Sequence, residues 1–238
     1  MGRRGCPLFL PLGLFMQSSQ HIPVTVLTGF LGSGKTTLLK RILTEQHGHR
    51  IAVIENEFGE EGVDNELLLQ DQQEQIVEMN NGCICCTVRG DLVRILNDLH
   101  RRKKAGEVQF ERVIIETTGL ADPGPVAQTF FIDDDIADAY LLDAVITVVD
   151  AKHAMTQLDQ SKEIREQVAF ADRLLLSKVD LIDEDALQAL KTRLLRINPR
   201  APMSEVHFGQ TDIKQILDIR GFNLNAILEI DPQFLETD

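Results

Sequence analysis

The chain is poor in the residues that build aromatic binding surfaces, because its 238 residues include no tryptophan, one tyrosine and 11 phenylalanines. A surface that stacks the bases of single-stranded nucleic acid needs several exposed aromatic rings, so the composition argues against that function. Basic residues are also in the minority, with 24 lysines and arginines against 37 acidic residues and a net charge of −13. A phosphate backbone would be repelled overall, and we expect no nucleic-acid partner.

Long apolar runs are scarce as well. Beyond the first 20 residues no stretch is long enough to span a bilayer, so we expect no membrane partner. The first 20 residues carry Arg3 and Arg4 ahead of an apolar stretch, which superficially resembles a secretory signal. No small-residue cleavage site follows that stretch. We therefore expect a disordered extension over residues 1–20, or a native start at Met16.

From residue 21 onward, β-rich runs alternate with amphipathic stretches. The predicted strands are 24–28, 51–55, 75–79, 112–116, 144–149, 173–177 and 203–206, and the predicted helices are 34–45, 88–104, 123–131, 161–169, 184–197 and 213–219. This alternation predicts an α/β fold with a mostly parallel sheet and helices on both faces. Ligands of such sheets bind where the strands end. The pattern extends to about residue 221, and residues 222–238 are expected to be a tail or the truncated start of a further domain.

A phosphate-binding loop follows the first predicted strand. Residues 29–36 read G-F-L-G-S-G-K-T, which fits G-x-x-x-x-G-K-[ST], and an apolar-periodic helix comes next. Glycine lets the backbone N–H groups surround phosphate oxygens, and the helix N-terminus adds partial positive charge. Lys35 is expected to reach the β- and γ-phosphates, and the Thr36 hydroxyl to bind Mg²⁺. The full set expected to bind nucleotide here is Gly29, Gly32, Ser33, Gly34, Lys35, Thr36 and Thr37.

A second motif, Glu116-Thr117-Thr118-Gly119, ends another predicted strand. A carboxylate at this position can hold Mg²⁺ directly or through water, or it can orient the attacking water. The backbone N–H of Gly119 can contact a γ-phosphate, so this loop can respond to hydrolysis. We therefore expect Lys35, Thr36 and Glu116 to be the catalytic residues.

The base-recognition motif is predicted at Ser177-Lys178-Val179-Asp180, which resembles [NT]-K-x-D. The Asp180 carboxylate can accept two hydrogen bonds from guanine, whereas adenine would leave that carboxylate unpaired. The stem of Lys178 can lie over the face of the base. Ser177 stands where asparagine is usual. The motif favours GTP over ATP.

Three of the four cysteines lie in one short segment, as Cys83, Cys85 and Cys86. Thiols this close cannot cross-link distant parts of a fold, and in the reducing cytoplasm they more often bind metal. Tetrahedral zinc can be met by the C-x-C spacing if the backbone turns. Three small buried residues or a redox pair are the alternatives.

Together these motifs resemble the CobW-type GTPases, a metallochaperone group within the SIMIBI class of P-loop proteins, and within that group the bacterial YjiA-like branch. The resemblance covers about residues 22–221. It rests on the phosphate-binding loop, the segment 51–60 with Glu55-Asn56-Glu57-Phe58-Gly59-Glu60, the C-x-C-C cluster, the Glu116 loop with 121–125, and the Ser177–Asp180 motif.

The resemblance implies a cytoplasmic enzyme that couples GTP hydrolysis to the binding and transfer of a transition metal, usually zinc. It implies metal ligands at Cys83, Cys85 and Cys86, with Glu55 and Glu60 as further candidates. Cobalt and nickel stay open because the same ligands accept them. It also implies a metal-requiring client protein. By analogy with the broader class, a nucleotide-dependent homodimer is an expectation. Relatives usually carry a second, smaller domain, and we expect that domain to be absent here.

Two other functions remain open on the sequence. An ATP-dependent ATPase or kinase could use the same phosphate-binding loop, although Asp180 argues against it. A zinc-sensing module could hold nucleotide without hydrolysing it, although Lys35, Thr36 and Glu116 argue against that interpretation.

Overall fold

Buried apolar runs form the six strands of the described chain. The computed structural model describes residues 21–45, 48–55, 88–213 and 216–236. The strands are β1 (Ile22–Thr28), β2 (Ile51–Glu55), β3 (Arg112–Glu116), β4 (Tyr140–Asp150), β5 (Arg173–Ser177) and β6 (Met203–Val206). They pair in parallel in the order β2-β3-β1-β4-β5-β6. All the strand carboxyl ends therefore lie at one edge of the sheet, as the predicted α/β fold requires.

Eight helices of the described chain connect or follow these strands. They are α1 (Lys35–Thr44), α2 (Val88–Lys104), α3 (Pro123–Ile132), α4 (Asp134–Ala139), α5 (Ala154–Gln160), α6 (Lys162–Ala169), α7 (Glu184–Ile197) and α8 (Leu224–Ile230). Aspartates begin several of them: the Asp183 carboxylate, for example, accepts the N–H of Ala186 at 2.8 Å. Such caps satisfy backbone donors that the first turn leaves unpaired.

Both faces of the sheet are covered, which explains why the strand sequences are apolar without alternation. On one face, Val24 and Val26 of β1 pack with Leu96 of α2 and Phe130 of α3. Toward β5 the same layer continues with apolar side chains of α5, α6 and α7. On the other face, β1 and its neighbours pack against Leu38, Leu39, Ile42 and Leu43 of α1. None of the eight helices in the described part of the chain combines the length and hydropathy that a bilayer-crossing helix needs.

Most predicted elements are confirmed, with small shifts at their ends. Strand β4 extends four residues earlier than predicted, to Tyr140. Helices α4 and α5 were not predicted, since each has only six or seven residues and too few turns for a periodic pattern. Helix α8 lies in the region expected to be a tail, and Ile227 and Phe234 of this region are buried in the core. The predicted helix at 213–219 is wrong in its described part, because residues 216–218 form a turn and bends and Asp218 has a φ of +58°. Residues 214 and 215, the predicted strand at 75–79 and the expected extension at 1–20 lie outside the described residues.

Candidate active site

The turn between β1 and α1 is a glycine-dependent loop. Gly29, Gly32 and Gly34 have φ values of +139°, +72° and +101°, which residues other than glycine rarely adopt. A side-chain carbon on Gly29 would also lie 2.3 Å from the carbonyl oxygen of Val148 in β4. The loop can therefore pass close to the sheet and leave its N–H groups for an anion.

Lys35 lies at the first position of α1 and is buried. Its ammonium donates to the carbonyl oxygens of Gly29 at 2.7 Å and Phe30 at 3.2 Å. Burial lowers the pKa of Lys35, while the Glu116 carboxylate opposes that shift. The ammonium is thus held inside the loop, where it can donate to phosphate oxygens in place of the two carbonyls.

Thr36 and Glu116 meet although 80 positions separate them. The Thr36 hydroxyl donates to Oε1 of Glu116 at 3.0 Å, and Glu116 is itself buried at the end of β3. A hydroxyl and a carboxylate are hard oxygen ligands, which is the donor chemistry that Mg²⁺ takes in nucleotide sites. The residues present therefore fit the metal that the sequence predicts.

The loop after β3 packs directly on the phosphate-binding loop. The Thr117 hydroxyl donates to the Thr28 hydroxyl at 2.8 Å, and the Thr117 N–H donates to the carbonyl of Leu27. A side-chain carbon on Gly119 would lie 2.4 Å from the backbone nitrogen of Leu31, so this approach is open only to glycine. A conformational change in either loop must therefore displace the other.

Gln167 of α6 holds the loop after β3 from behind, and the sequence did not single it out. Its side chain is fully buried, and its amide nitrogen donates to the carbonyls of Gly119 at 3.1 Å and Ala121 at 3.0 Å. The sequence offered one signal for this role, which is that the Gln167 amide lies on the apolar face of the amphipathic helix α6.

The Ser177–Asp180 motif reaches back to the phosphate-binding loop. The Ser177 hydroxyl donates to the Ser33 carbonyl at 2.6 Å, and the Lys178 ammonium donates to the Gly32 carbonyl at 2.8 Å. Serine at 177 thus makes a contact to the loop in the place where asparagine is usual. Asp180 follows in a 3₁₀ turn, Val179–Leu181, with its side chain exposed at the same edge.

Asp150 is a second residue that the sequence did not single out. At the end of β4, its buried carboxylate accepts from Lys178 Nζ at 2.7 Å and from His153 Nδ1 at 2.9 Å. It also accepts the backbone N–H groups of Lys152 at 3.0 Å and His153 at 3.3 Å. Burial disfavours the charge, but the bonds from Lys178 and His153 outweigh it and hold the pKa of Asp150 below its ordinary value. The anion therefore fixes the position of Lys178.

The predicted zinc ligands are only partly within the described residues. Glu55 ends β2 and pairs in register with Glu116 of β3, which places both acids at the carboxyl edge. Cys83, Cys85, Cys86 and Glu60 lie outside the described residues. Across residues 21–45, 48–55, 88–213 and 216–236, no group of three or more histidine, cysteine, aspartate and glutamate side chains converges as a metal site would require.

Comparison with known proteins identifies relatives over most of the chain. Residues 23–205 match the family described as CobW/HypB/UreG, nucleotide-binding domain. The zinc chaperone YjiA of Escherichia coli K12 is 49% identical over 214 residues, which cover 90% of this chain and 66% of that protein. The zinc-regulated GTPase metalloprotein activator 1 of Schizosaccharomyces pombe is 40% identical over 208 residues, covering 84% of this chain and 50% of that protein.

A solved structure agrees with these sequence matches. The Zn(II)-bound YjiA GTPase from E. coli has a TM-score of 0.68 and 45% identity, covering 85% of this chain and 63% of that chain. This likeness supports the parallel P-loop fold. The chain spans between half and two-thirds of the length of these relatives.

Proposed function

The chain belongs to the CobW/HypB/UreG family of nucleotide-binding proteins, and from that membership we propose that it hydrolyses GTP and couples hydrolysis to the binding and transfer of zinc. Relatives named as a zinc chaperone and a zinc-regulated GTPase activator support this function. The proposal includes the cytoplasm as the compartment, since GTP and reduced thiols are both available there.

The observation that carries the proposal is the meeting of Lys35, Thr36 and Glu116. In our proposal Lys35 donates to the β- and γ-phosphates, and the remaining N–H groups of the loop surround the phosphate oxygens. Thr36 and Glu116 would hold Mg²⁺, which supplies charge neutralisation on the phosphates when bound. In our proposal Glu116 also orients the water that attacks the γ-phosphorus, and this attack releases GDP and phosphate.

Guanine recognition is assigned to Asp180, with Lys178 beside it. The Lys178 ammonium already bonds to the Gly32 carbonyl and the Asp150 carboxylate. Its stem is therefore fixed between the phosphate-binding loop and the base-recognition turn, which restricts where the base can lie. Asp180 would accept from the N1–H and amino group of guanine.

Zinc binding is assigned to Cys83, Cys85 and Cys86, with Glu55 and Glu60 as further ligands. The topology supports a position near the nucleotide. The chain leaves β2 at Glu55, in register with Glu116, and resumes at α2, which precedes a parallel strand and so begins near the carboxyl edge. Both ends of the segment that carries the cysteines therefore lie at the edge where the phosphates bind. Metal and phosphate can then influence each other, and any such coupling is reciprocal.

The test is a competition titration of zinc affinity with a non-hydrolysable GTP analogue, GDP or the matching ATP analogue present. We expect zinc affinity to differ at least tenfold between the GTP-analogue and GDP states, with no effect of the ATP analogue. A Cys85→Ser, Cys86→Ser variant is the matched control and should lose the zinc site while retaining GDP affinity. Equal zinc affinity in all nucleotide states would refute the coupling.

The same titration, together with a phosphate-release assay, separates the two alternative functions. A response to the ATP analogue but not to the GTP analogue would assign the site to an ATPase or kinase. Nucleotide-dependent zinc affinity without phosphate release above the Lys35→Ala background would indicate a sensing module that does not hydrolyse.

Two partners belong to the proposal: a metal-requiring client protein and a nucleotide-dependent second copy of the chain. The second copy has structural support, because Leu31 and Leu120 are each 56% exposed on the two loops that meet at Gly119. Apolar side chains at this position would be covered by a partner that binds across the nucleotide. Sedimentation velocity with the GTP analogue and with GDP tests this, and a Leu120→Glu variant should stay monomeric in both states.

A further inference from the structure

An aromatic ring stands exposed at the carboxyl edge, where no assigned residue explains it. Phe208 follows β6 in a turn that the Gln210 N–H closes by donating to the His207 carbonyl at 2.8 Å. The Phe208 side chain is 83% exposed, and its φ is +49°. Left-handed backbone is unfavourable for a bulky residue, and so is leaving a large ring in water. Both features oppose local preference, which is the pattern seen where a residue serves a ligand.

The turn is held against the phosphate-binding helix. Gly209 has φ +75°, and a side-chain carbon there would lie 3.1 Å from the Thr37 carbonyl oxygen and 3.2 Å from Leu38 Cα. The backbone beside Phe208 therefore touches the first turn of α1, next to the residues expected to bind phosphate. This contact fixes the backbone of the turn beside the helix that follows the phosphate-binding loop.

The turn also lies beside the base-recognition motif. Strand β6 pairs with β5, and Val206 is in register with Ser177. The chain then continues to His207 and Phe208 on one strand and to Lys178 and Asp180 on the other. The two turns leave neighbouring positions at the same edge of the sheet.

We infer that Phe208 is the stacking surface for the purine base of the bound nucleotide, and this inference rests on the proposed nucleotide site. Asp180 reads the edge of the base, and Phe208 covers one of its faces. Every base presents a π-face, so the ring adds affinity without choosing between guanine and adenine. Its chain neighbours His207 and Gln210 are exposed and polar, which differs from the apolar surroundings of a protein-docking residue.

The absence of tryptophan from the chain permits a direct test. In a Phe208→Trp variant the single indole reports on its own surroundings, and we expect its fluorescence to be quenched when GDP saturates the protein. Leu195→Trp is the matched control. Leu195 is 49% exposed near the end of α7, which leads to the amino end of β6, so its fluorescence should not respond.

Affinity measurements complete the test. Phe208→Ala should weaken GDP binding by a factor of about 10, the size expected for loss of one base stack, and should weaken the lower affinity for ADP by a similar factor. Phe208→Tyr should restore affinity, and inorganic tripolyphosphate should bind wild type and Phe208→Ala equally. Unchanged GDP affinity in Phe208→Ala, or an unresponsive Phe208→Trp with GDP bound, would overturn the inference.

The outcomes separate this inference from the proposed function. If GDP binds tightly and equally to wild type and Phe208→Ala, the GTPase proposal stands and the stacking role of Phe208 is refuted. Tight binding of adenine nucleotide alone, with quenching at Phe208→Trp, removes guanine specificity and supports the stacking surface. Loss of self-association in Phe208→Ala with unchanged nucleotide affinity would assign the ring to a protein contact and overturn the inference.

Discussion

The two edges of the sheet both carry aspartate or glutamate, and they use these carboxylates differently. At the carboxyl edge, Glu116 accepts from the Thr36 hydroxyl and Asp150 accepts from the Lys178 ammonium. At the amino edge, Asp143 and Asp172 accept only backbone N–H groups among the bonds described for them. Side-chain donors can turn toward a ligand, whereas backbone donors hold the chain in place. The type of donor therefore distinguishes carboxylates that belong to a binding site from carboxylates that stabilise the fold.

The amino edge ties the C-terminal segment to the sheet. The Asp143 carboxylate accepts the N–H groups of Ile219 at 3.2 Å and Arg220 at 2.7 Å. Its carbonyl oxygen accepts those of Gly221 at 2.9 Å and Phe222 at 3.2 Å. One residue of β4 therefore positions residues 219–222, which lead to the Asn223 cap of α8, and this arrangement contributes to folding rather than chemistry.

The largest effect should come from Lys35→Ala at the carboxyl edge. In the proposed site the Lys35 charge faces the transferred phosphate, so its loss should lower kcat for GTP hydrolysis by about 10²–10³-fold. Stability should change little, because the buried ammonium is poorly solvated and the hydrogen bonds described for it are to the carbonyls of Gly29 and Phe30 in its own loop. Phosphate release and thermal unfolding measure the two effects. Lys40→Ala, on the exposed face of the same helix, is the control; hydrolysis by Lys35→Ala at the control rate would refute its role.

Asp143→Ala should have the opposite profile. Two backbone N–H groups would lose a charged acceptor, and we expect the free energy of unfolding to fall by about 2–4 kcal/mol. GDP affinity should stay within about twofold of wild type, since the nucleotide binds at the other edge. Urea unfolding and calorimetric titration at about 15 °C separate the two quantities, with the exposed Asp138→Ala as control. A loss of GDP affinity in proportion to the loss of stability would break the distinction between the edges.

The sequence was sufficient for the frame of the molecule and for contacts that a short motif encodes. Strand and helix periodicity predicted the parallel sheet. The phosphate-binding motif predicted a glycine-rich loop, and the Lys35 ammonium does lie inside it. Asp150 and Gln167 were missed because their roles depend on partners far along the chain, Lys178 and the carbonyls of Gly119 and Ala121. A pattern read along the chain cannot show which distant donor or acceptor a polar residue will meet. Short helices α4 and α5 were missed for lack of periodicity.

Asp150→Asn sharpens the comparison because Asp150 has partners of both kinds. Loss of the charge should release Lys178, and we expect GDP affinity to fall about tenfold, which is about 1.4 kcal/mol. The backbone N–H groups of Lys152 and His153 can still bond to the amide oxygen, so unfolding should be affected by only about 1 kcal/mol. Calorimetric titration and urea unfolding give both numbers. Unchanged GDP affinity would show that Lys178 does not need this anion.

Asp172 at the amino edge should give the smallest effect and one of opposite sign. Burial raises the pKa of Asp172 to about 6, with a further contribution from the charge of Asp143 and an opposing one from the Val145 N–H. Between about pH 4 and pH 6 the folded protein binds this proton more tightly than the unfolded chain. The free energy of unfolding should therefore fall as pH rises through that window, and the loss is complete above about pH 6.

Asp172→Asn removes this titration while its amide oxygen can still accept the Val145 N–H. The raised pKa sets an upper limit of about 3 kcal/mol, and partial solvent exposure together with the loss of attraction to Arg200 reduces the expected gain in stability at about pH 7.5 to about 1 kcal/mol. The gain should shrink to nearly nothing by about pH 4, where the carboxyl group of Asp172 in the folded wild type is protonated and so is neutral like the amide of the variant. Urea unfolding across this pH range measures it, with Asp138→Asn as the exposed control. A gain in stability that is independent of pH would mean that Asp172 destabilises the fold through its packing and not through its charge.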